Sequence, residues 1–332
     1  MVTNLAFKKH IPSVFVVCSP FQVLSAVEAV REFEIEDYLF FVHINANERN
    51  RIDQTFKILD EFHVKYETID FIKSWSKIRL LKALIPRFSK YKRAFIGHFR
   101  VDYLFHTAFS HISNNSVVVY LDDGMNCLTL LDNSFTFGNT FNHKIIDIAS
   151  KLRNINYHKH LFTIYSDFDI KNKKLNIYKN TFKNISFNTT VQQDDSVFII
   201  GTVVDDYCKA AGISVNNYLS SLETIFKNLR SKNEFIYYFP HGRDNNSNIK
   251  LLCDRHDIKC IRPSSTIEMF MFDAQFKPKS VYGFSSSALF NIKLFFPQID
   301  IINYMYNNNQ EEGYETIAKY YEKHGIKTIY YQ

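Results

Sequence analysis

Four short segments carry the residue types that catalyse reactions or bind anions, and each follows an apolar run that predicts a β-strand. The segments are Ser19–Gln22, Asp122–Gly124, Pro240–Arg243 and Ser285–Ser286. A carboxylate can remove a proton, and an imidazole or a guanidinium can meet an anion. Serine hydroxyls beside free backbone N–H groups can bind a phosphate. Each segment is therefore a candidate for proton removal or for anion binding.

Asp122, Asp123 and Gly124 form the segment best suited to acid–base chemistry. The β-branched run Ser116–Leu121 predicts a buried strand that would deliver a carboxylate at its tip, and the glycine allows a tight turn. Such a carboxylate suits a general base that takes a proton from a hydroxyl group. Adjacent side chains on an extended chain point apart, so only one of the two faces a given site. Asp-Gly is also a common turn dipeptide, and a purely structural role stays open.

Two later segments offer donors for an anion. Pro240 stiffens the chain before His241, and Arg243 follows two residues later. An imidazole and a guanidinium can each donate hydrogen bonds to a phosphate. Ser285 and Ser286 stand where a helix is predicted to begin, and their hydroxyls could join its free N–H groups. An ordinary loop histidine and two serine helix caps are the structural alternatives.

Two other segments are typical of helix starts. Ser19 and Pro20 match a helix cap followed by a first-turn proline, with Gln22 close behind. Glu268 completes a capping box that begins at Ser265, and this is its default role.

The sequence lacks the motifs of several large enzyme classes. The absence of G-x-G-x-x-G, P-loop, H-E-x-x-H and G-x-S-x-G argues against the commonest dinucleotide, NTPase, metalloprotease and esterase sites. The paired acids do not have the D-x-D spacing expected where carboxylates share a metal with a nucleotide diphosphate. Five scattered cysteines, an odd number, argue against a disulfide framework and against structural zinc. An N-terminus without a signal-peptide cleavage site predicts a cytoplasmic protein.

The charge balance predicts a mildly basic surface. Lys and Arg total 40 against 34 Asp and Glu, and the net charge of +6 falls short of what a nucleic-acid binder carries. One basic stretch runs from Lys73 to Arg100, and no acid lies between Asp70 and Asp102. An amphipathic helix predicted at Ser74–Leu84 could make peripheral contact with an anionic membrane, or it could be a solvated surface helix.

Short apolar runs that alternate with helical patterns predict an α/β protein with parallel strands. We expect an N-terminal domain over 1–170, a Lys- and Asn-rich connection over 171–195 and a C-terminal domain over 196–332. Two Rossmann-type domains facing a central cleft would hold a ligand at the carboxyl ends of their strands. The predicted strands are Val14–Cys18, Tyr38–His43, Lys65–Asp70, Arg93–Gly97, Ser116–Leu121, Ser196–Gly201, Glu234–Phe239, Lys259–Ile261, Ser280–Phe284 and Ile299–Ile302.

Taken in order, the four segments resemble the bacterial sialyltransferases of glycosyltransferase family 52. They read S-P-F-Q, D-D-G, P-H-G-R and, at the last position, a pair of serines. The resemblance implies a GT-B-like fold and metal-independent transfer of sialic acid, with inversion, from CMP-sialic acid to a terminal galactose. The acceptor would be a surface glycan or glycolipid such as lipooligosaccharide or capsule. No cofactor is implied beyond the nucleotide-sugar donor itself.

The same resemblance implies roles for individual residues. Asp123 would be the general base, while Asp122 fills the variable position of the motif and shapes the turn. His241 would donate a hydrogen bond to the CMP phosphate as it leaves, and Ser285–Ser286 would bind the same phosphate. Glu268 would accept hydrogen bonds from the ribose hydroxyls.

Further residues complete the expected site. Gly201, at the end of a predicted strand, is grouped with the donor-binding residues. Gly242 departs from the family pattern, which has a proline directly after the histidine. Four side chains are candidates for contact with the acceptor or the donor: Gln22, His98, Arg100 and Arg243.

Two alternatives stay open. The enzyme could transfer another sugar, for example glucose from a UDP donor. A protein of a different class would bind a nucleotide or an anionic lipid without catalysis. The sialyltransferase would work at the cytoplasmic face of the inner membrane. The linkage, the natural acceptor and a homodimer are left undecided.

Overall fold

The computed structural model describes residues 8–44, 49–70, 86–97, 117–122, 124, 127, 158–168, 176–185, 193–232, 235–274, 277–306 and 312–331. The chain forms two compact units, Met1–Ser186 and Phe187–Gln332. Each unit contains a parallel β-sheet with helices in its connections, which confirms the predicted α/β class.

The first unit is built on seven parallel strands. They are β1 (Ser13–Val17), β2 (Tyr38–Ile44), β3 (Tyr66–Asp70), β4 (Arg93–Ile96), β5 (Val117–Tyr120), β6 (His158–Thr163) and β7 (Asn176–Lys179). Their order in the sheet is β3-β2-β1-β4-β5-β6-β7. The helices α1 (Pro20–Glu32) and α2 (Arg49–Glu61) follow β1 and β2. The strand order reverses between β1 and β4, which is the topological switch point of a Rossmann-type sheet.

Aromatic side chains close the core of this sheet. Phe15 on β1 is fully buried between the rings of Phe40 and Phe95, with centroid separations of 4.6 and 4.3 Å. Every residue of β1, β4 and β5 is buried, as expected for strands covered on both faces. The central strands therefore support the chain segments that follow their carboxyl ends.

The second unit is built on six parallel strands. They are β8 (Ser196–Ile200), β9 (Phe235–Phe239), β10 (Lys259–Cys260), β11 (Ser280–Phe284), β12 (Asp300–Tyr306) and β13 (Ile326–Tyr331). Their order is β10-β9-β8-β11-β12-β13, so the switch point lies between β8 and β11.

Six helices of the second unit connect these strands. They are α3 (Val204–Ala211), α4 (Val215–Arg230), α5 (Ser247–Arg255), α6 (Ile267–Asp273), α7 (Ser287–Phe295) and α8 (Glu312–Lys323). A hydrophobic cluster joins β8 and β9 to α3, α4 and α5 through residues such as Ile199, Tyr238 and Leu222.

The structure differs from the predicted organisation most clearly at β7. β7 lies inside the expected 171–195 connection, and the division between the units falls after Ser186. β7 is a half-exposed edge strand that reads Asn-Ile-Tyr-Lys, so it lacks the apolar run that marks a buried strand. β6, β13 and α3 were not predicted either. The predicted helix at Ser74–Leu84 lies outside the described residues.

The predicted capping box of Glu268 is wrong. Thr266 is the N-cap of α6, and its hydroxyl accepts the backbone N–H of Met269 at 3.3 Å. The helix therefore begins one residue later than a box starting at Ser265 requires. Glu268 instead turns into the interior, where it is buried.

Candidate functional site

The switch point of the second sheet brings two predicted site segments to one edge. β8 and β11 are neighbouring parallel strands, so Gly201 and Ser285 each follow a strand that ends at this edge. β9 lies beside β8 and leads into Pro240–Arg243. Ligands of open α/β sheets bind outside the carboxyl ends of the strands, at the switch point. The sheet therefore places Gly201 and two of the predicted segments where a ligand is expected.

Ser285 has an unusual backbone conformation. Its φ of +43° lies in the left-handed region, which a residue other than glycine rarely adopts. The backbone N–H of Ser285 donates to the side-chain Oδ1 of Asn303 at 2.8 Å. The residue is 8% exposed, and its Oγ has no hydrogen-bond partner in the described part of the chain. A strained residue with an unused buried hydroxyl is the kind of outlier that accompanies a binding site.

Ser286 begins helix α7. Its Oγ accepts the backbone N–H of Ala288 at 3.3 Å, which is an ordinary N-cap contact. Its carbonyl oxygen accepts the hydroxyl of Tyr321 at 3.2 Å. The Ser286 hydroxyl therefore caps α7, whereas Ser285 performs no capping. The predicted phosphate contact of Ser286 stays a prediction.

Gly201 is required by packing. Its N–H donates to the Phe239 carbonyl at 2.8 Å, and a Cβ at this position would collide with the hydroxyl of Tyr238. Tyr238 is fully buried, so it cannot easily move away. The close approach of two strands explains the glycine without a ligand, and its donor-binding role stays a prediction.

His241 is held in one orientation by its own loop. Its Nδ1 accepts the backbone N–H of Arg243 at 3.2 Å, which leaves the ring proton of the neutral imidazole on Nε2. The His241 carbonyl accepts the N–H of Asp244 at 2.9 Å and Nη1 of Arg262 at 3.4 Å. A Cβ added to Gly242 would meet no atom within 4 Å, so packing does not require a glycine there. The ring is half-buried, and its predicted contact with a phosphate stays a prediction.

Asp244 was missed by the sequence reasoning and ties the His241 loop to the sheet edge. It is buried, and its Oδ1 accepts the backbone N–H of Val204 at 3.3 Å, at the start of α3. Val203, the N-cap of α3, offers no side-chain cap, so Asp244 supplies that acceptor from a distant loop. Burial raises the pKa of Asp244, although the Val204 hydrogen bond and the charge of Arg262 oppose that shift.

Glu268 is engaged inside the second unit. One carboxylate oxygen accepts Nδ2 of Asn291, on α7, at 2.8 Å. Burial raises the pKa of Glu268, and the hydrogen bond from Asn291 partly offsets this. The contact links α6 to α7, the helix that follows the two serines. The ribose-binding role of Glu268 stays a prediction.

In the first unit, Asp122 is a buried anchor. Its carboxylate accepts hydrogen bonds from Thr163 Oγ1, the N–H of Ile164 at 3.0 Å, Asn180 Nδ2 at 3.3 Å and Ser25 Oγ at 3.4 Å. These donors connect β5 to α1 and to the chain that follows β6 and β7. Burial raises the pKa of Asp122 to about 6, with the Thr163 hydrogen bond acting in the opposite direction.

Asp123, the predicted general base, directly follows Asp122 in the sequence. Asp123 lies outside the described residues, and so do His98 and Arg100. Gly124 has φ of +61°, a left-handed turn conformation that favours glycine. Asp122 and Gly124 are thus the described neighbours of Asp123, and its role as the general base stays a prediction.

Gln22 lies at the switch point of the first sheet, after β1. Its side chain is fully buried, and Oε1 accepts the backbone N–H of Cys18 at 2.8 Å. A Cβ on Gly97, which follows β4, would collide with Gln22. The side chain thus fills the space between the ends of β1 and β4, and its predicted ligand contact stays a prediction.

Neither a metal-binding cluster nor a membrane-spanning helix occurs among the described residues. No group of three or more His, Cys, Asp or Glu residues there is arranged to hold a metal ion. No helix in the same part of the chain combines the length and the apolar character needed to cross a membrane. Of the basic stretch from Lys73 to Arg100, the structure describes only residues 86–97.

Comparison with known proteins identifies the fold. No family model and no curated protein matches the chain, so the resemblance to family 52 rests on the four segments alone. A Listeria monocytogenes protein assigned as a UDP-N-acetylglucosamine 2-epimerase is similar in structure, with 10% identity and a TM-score of 0.51. The match covers 84% of this chain and 76% of that one.

A second solved structure, Staphylococcus aureus MnaA with UDP, matches at 12% identity and a TM-score of 0.47, over 89% of this chain and 79% of that one. The chain thus has two Rossmann-type units with structural neighbours of the GT-B-like fold.

Proposed function

We propose that the chain is an enzyme that acts on a nucleotide-activated sugar and that its second unit binds the nucleotide's phosphate. The observation that carries this proposal is the Ser285–Ser286 turn at the switch point of the second sheet. Its buried Ser285 hydroxyl has no partner in the part of the chain that the structure describes. An anion bound here would provide the missing acceptor.

The surroundings of this turn suit a phosphate. Helix α7 begins directly after Ser286, and a helix N-terminus has free N–H groups and a partial positive charge. His241 lies in the loop after β9, and the neutral ring carries its proton on Nε2 because Nδ1 accepts the N–H of Arg243. Arg243 is exposed in the same loop and supplies a formal positive charge. Hydrogen-bond donors at the start of α7 and in the loop after β9, together with the cation of that same loop, would therefore share the phosphate charge.

The proposed reaction is transfer of the sugar to an acceptor hydroxyl. The bond between the sugar carbon and the phosphate oxygen breaks, and its electron pair stays with the departing phosphate. The acceptor oxygen forms the new bond from the opposite face and gives its proton to the carboxylate of Asp123. Donors aimed at the phosphate stabilise the charge that develops as it leaves. In this scheme Asp122 is the buried, hydrogen-bonded residue directly before the base in the sequence.

Two nucleotide sugars are candidates for the sugar donor, and a different observation favours each. The structural neighbour from Listeria is described as acting on a UDP-sugar, which favours a UDP-sugar donor. The order of the four sequence segments favours CMP-sialic acid with a galactoside acceptor. Both donors present a phosphate to the same turn, so the proposed phosphate site is common to them.

A nucleotide panel tests the proposal. Melting temperatures are measured with CMP, CDP, UMP and UDP, because a ligand that binds the folded state stabilises it by mass action. The donor is then identified by turnover of CMP-sialic acid with lactose or of UDP-glucose with a sugar acceptor, without added metal. Stabilisation by one nucleotide and turnover of its sugar support the proposal. No shift with any nucleotide would contradict it, and binding without turnover would favour the non-catalytic alternative.

A matched pair of variants separates ligand binding from helix capping. Ser286 caps α7 and Ser214 caps α4 in the same way, each accepting a first-turn N–H. Either serine changed to alanine removes a cap that contributes about 1 kcal/mol of stability. We expect only Ser286→Ala to weaken nucleotide binding, since α4 follows another helix, α3, and not the end of a strand.

A further inference from the structure

Asn303 is a polar residue in the middle of a buried strand. It lies on β12 between Ile301 and Met305, pairs with Gly283 of β11 and is fully buried. Its Oδ1 accepts the N–H of Ser285, while its Nδ2 has no hydrogen-bond partner among the described residues. A buried amide with an unpaired nitrogen destabilises the fold, so stability alone does not account for an asparagine here.

The contact with Ser285 accounts for the buried asparagine at position 303. The β11 ladder ends at Phe284, and the next N–H is captured by the Asn303 side chain at 2.8 Å. Ser285 adopts its left-handed φ of +43° at that point. A serine in this region is strained, and such strain persists only where neighbouring groups enforce it. Asn303 is the side chain observed to bond the strained residue.

We propose that Asn303 is the positioning residue of the phosphate turn. Its Oδ1 holds Ser285 in the left-handed conformation, and this conformation keeps the Ser285 hydroxyl available for a ligand oxygen. Asn303 acts through Ser285 and needs no contact with the ligand. The inference deepens the proposed function and rests on it for the identity of the ligand as a phosphate.

Glycine provides the first test because it adopts positive φ without strain. Melting temperatures are compared for the wild type, Asn303→Ala, Ser285→Gly and the double variant. If Asn303 enforces the strained conformation, Asn303→Ala in the wild type loses the hydrogen bond but also releases the strain of Ser285, so it lowers the melting temperature by more in the Ser285→Gly background than in the wild type. An equal decrease in both backgrounds would overturn the inference. The Ser285→Gly background also provides a folded form should Asn303→Ala alone be too unstable.

Ligand affinity provides the second test. Inorganic phosphate, CMP and UDP are titrated calorimetrically into the wild type, Asn303→Ala, Ser285→Ala and the double alanine variant. We expect each single change to weaken binding about tenfold and the double change to weaken it no further, because both remove one placed hydroxyl. Effects that multiply, to about a hundredfold, would show that Asn303 acts independently of Ser285 and would overturn the inference.

The control is Ser280→Ala. Ser280 is also a buried polar residue of the second unit, but it starts β11 at the opposite edge of the sheet. Its replacement is expected to leave phosphate affinity unchanged. If no phosphate or nucleotide binds even the wild type, the proposed function fails, whereas the melting-temperature cycle still decides the role of Asn303. If the wild type binds and Asn303→Ala binds equally well, only the inference fails.

Discussion

The buried Asp122 carboxyl makes stability depend on pH in the direction opposite to that of a salt-bridged carboxylate. Burial raises its pKa from 3.8 to about 6, so between these values the folded protein keeps a proton that the unfolded chain releases. The stabilising contribution is therefore fully present below about pH 4 and is lost as the pH rises through the folded pKa. At about 1.4 kcal/mol per pKa unit, the loss between pH 4 and pH 7 is about 2–3 kcal/mol.

Asp122→Asn isolates this effect, because the asparagine has nearly the same shape and cannot ionise. The free energy of unfolding is measured with urea at pH 4, 5, 6 and 7 for both proteins. All other titrating groups are shared, so they cancel in the difference between wild type and variant. We expect the wild type to lose about 2–3 kcal/mol relative to the variant between pH 4 and pH 7.

Thr163→Val provides a second arm of the same experiment. The Thr163 hydroxyl donates to Asp122 and lowers its pKa, so its removal should move the decrease in stability to higher pH. The reasoning is refuted if wild type and Asp122→Asn show parallel pH profiles. The carboxyl would then titrate as it does in the unfolded chain and would not be the buried acceptor described above.

Three further predictions concern the site. Gly201→Ala should destabilise the protein by about 1–3 kcal/mol through overpacking against the Tyr238 hydroxyl, and Tyr238→Phe in the same chain should recover part of the lost melting temperature. Asp123→Ala should abolish sugar transfer while calorimetry shows nearly unchanged nucleotide binding; full turnover would remove its assignment as the base. Arg243→Ala should weaken nucleotide binding without lowering the melting temperature, because the residue is exposed, and equal affinity would exclude it from the phosphate site.

Strands with a buried apolar run could be predicted from the sequence, and other elements could not. The predicted Ser280–Phe284 agrees with β11, and Val14–Cys18 differs from β1 by one residue at each end. β7 was missed because an edge strand with exposed ends has no apolar run to distinguish it. The Lys- and Asn-rich stretch over 171–195 predicted a connection between two domains, but its composition could not show that β7 belongs to the first sheet.

The residues of the candidate site divide in the same way. Those marked by their local sequence could be predicted, and their hydrogen-bond partners far along the chain could not. The serine pair and the histidine could be proposed as site residues because each directly follows a strand, where α/β proteins bind their ligands. Their partners could not be found in this way. Ser285 meets Asn303 18 residues on, Val204 meets Asp244 across 40 residues, and Asp122 meets Asn180 across 58. Nothing in the local sequence of those partners indicates the contact, because it is created by the order of strands in the sheet.

Calorimetric titration of UDP and CMP into the wild type and Ser285→Ala tests most directly whether the second unit binds a nucleotide phosphate at this turn. A hydrogen bond to a charged oxygen contributes about 1.5–3 kcal/mol, which corresponds to roughly tenfold to a hundredfold in affinity. We predict that the wild type binds one of the two nucleotides and that Ser285→Ala binds the same nucleotide at least tenfold more weakly. Equal binding by both proteins, or no binding of either nucleotide to the wild type, would contradict the account.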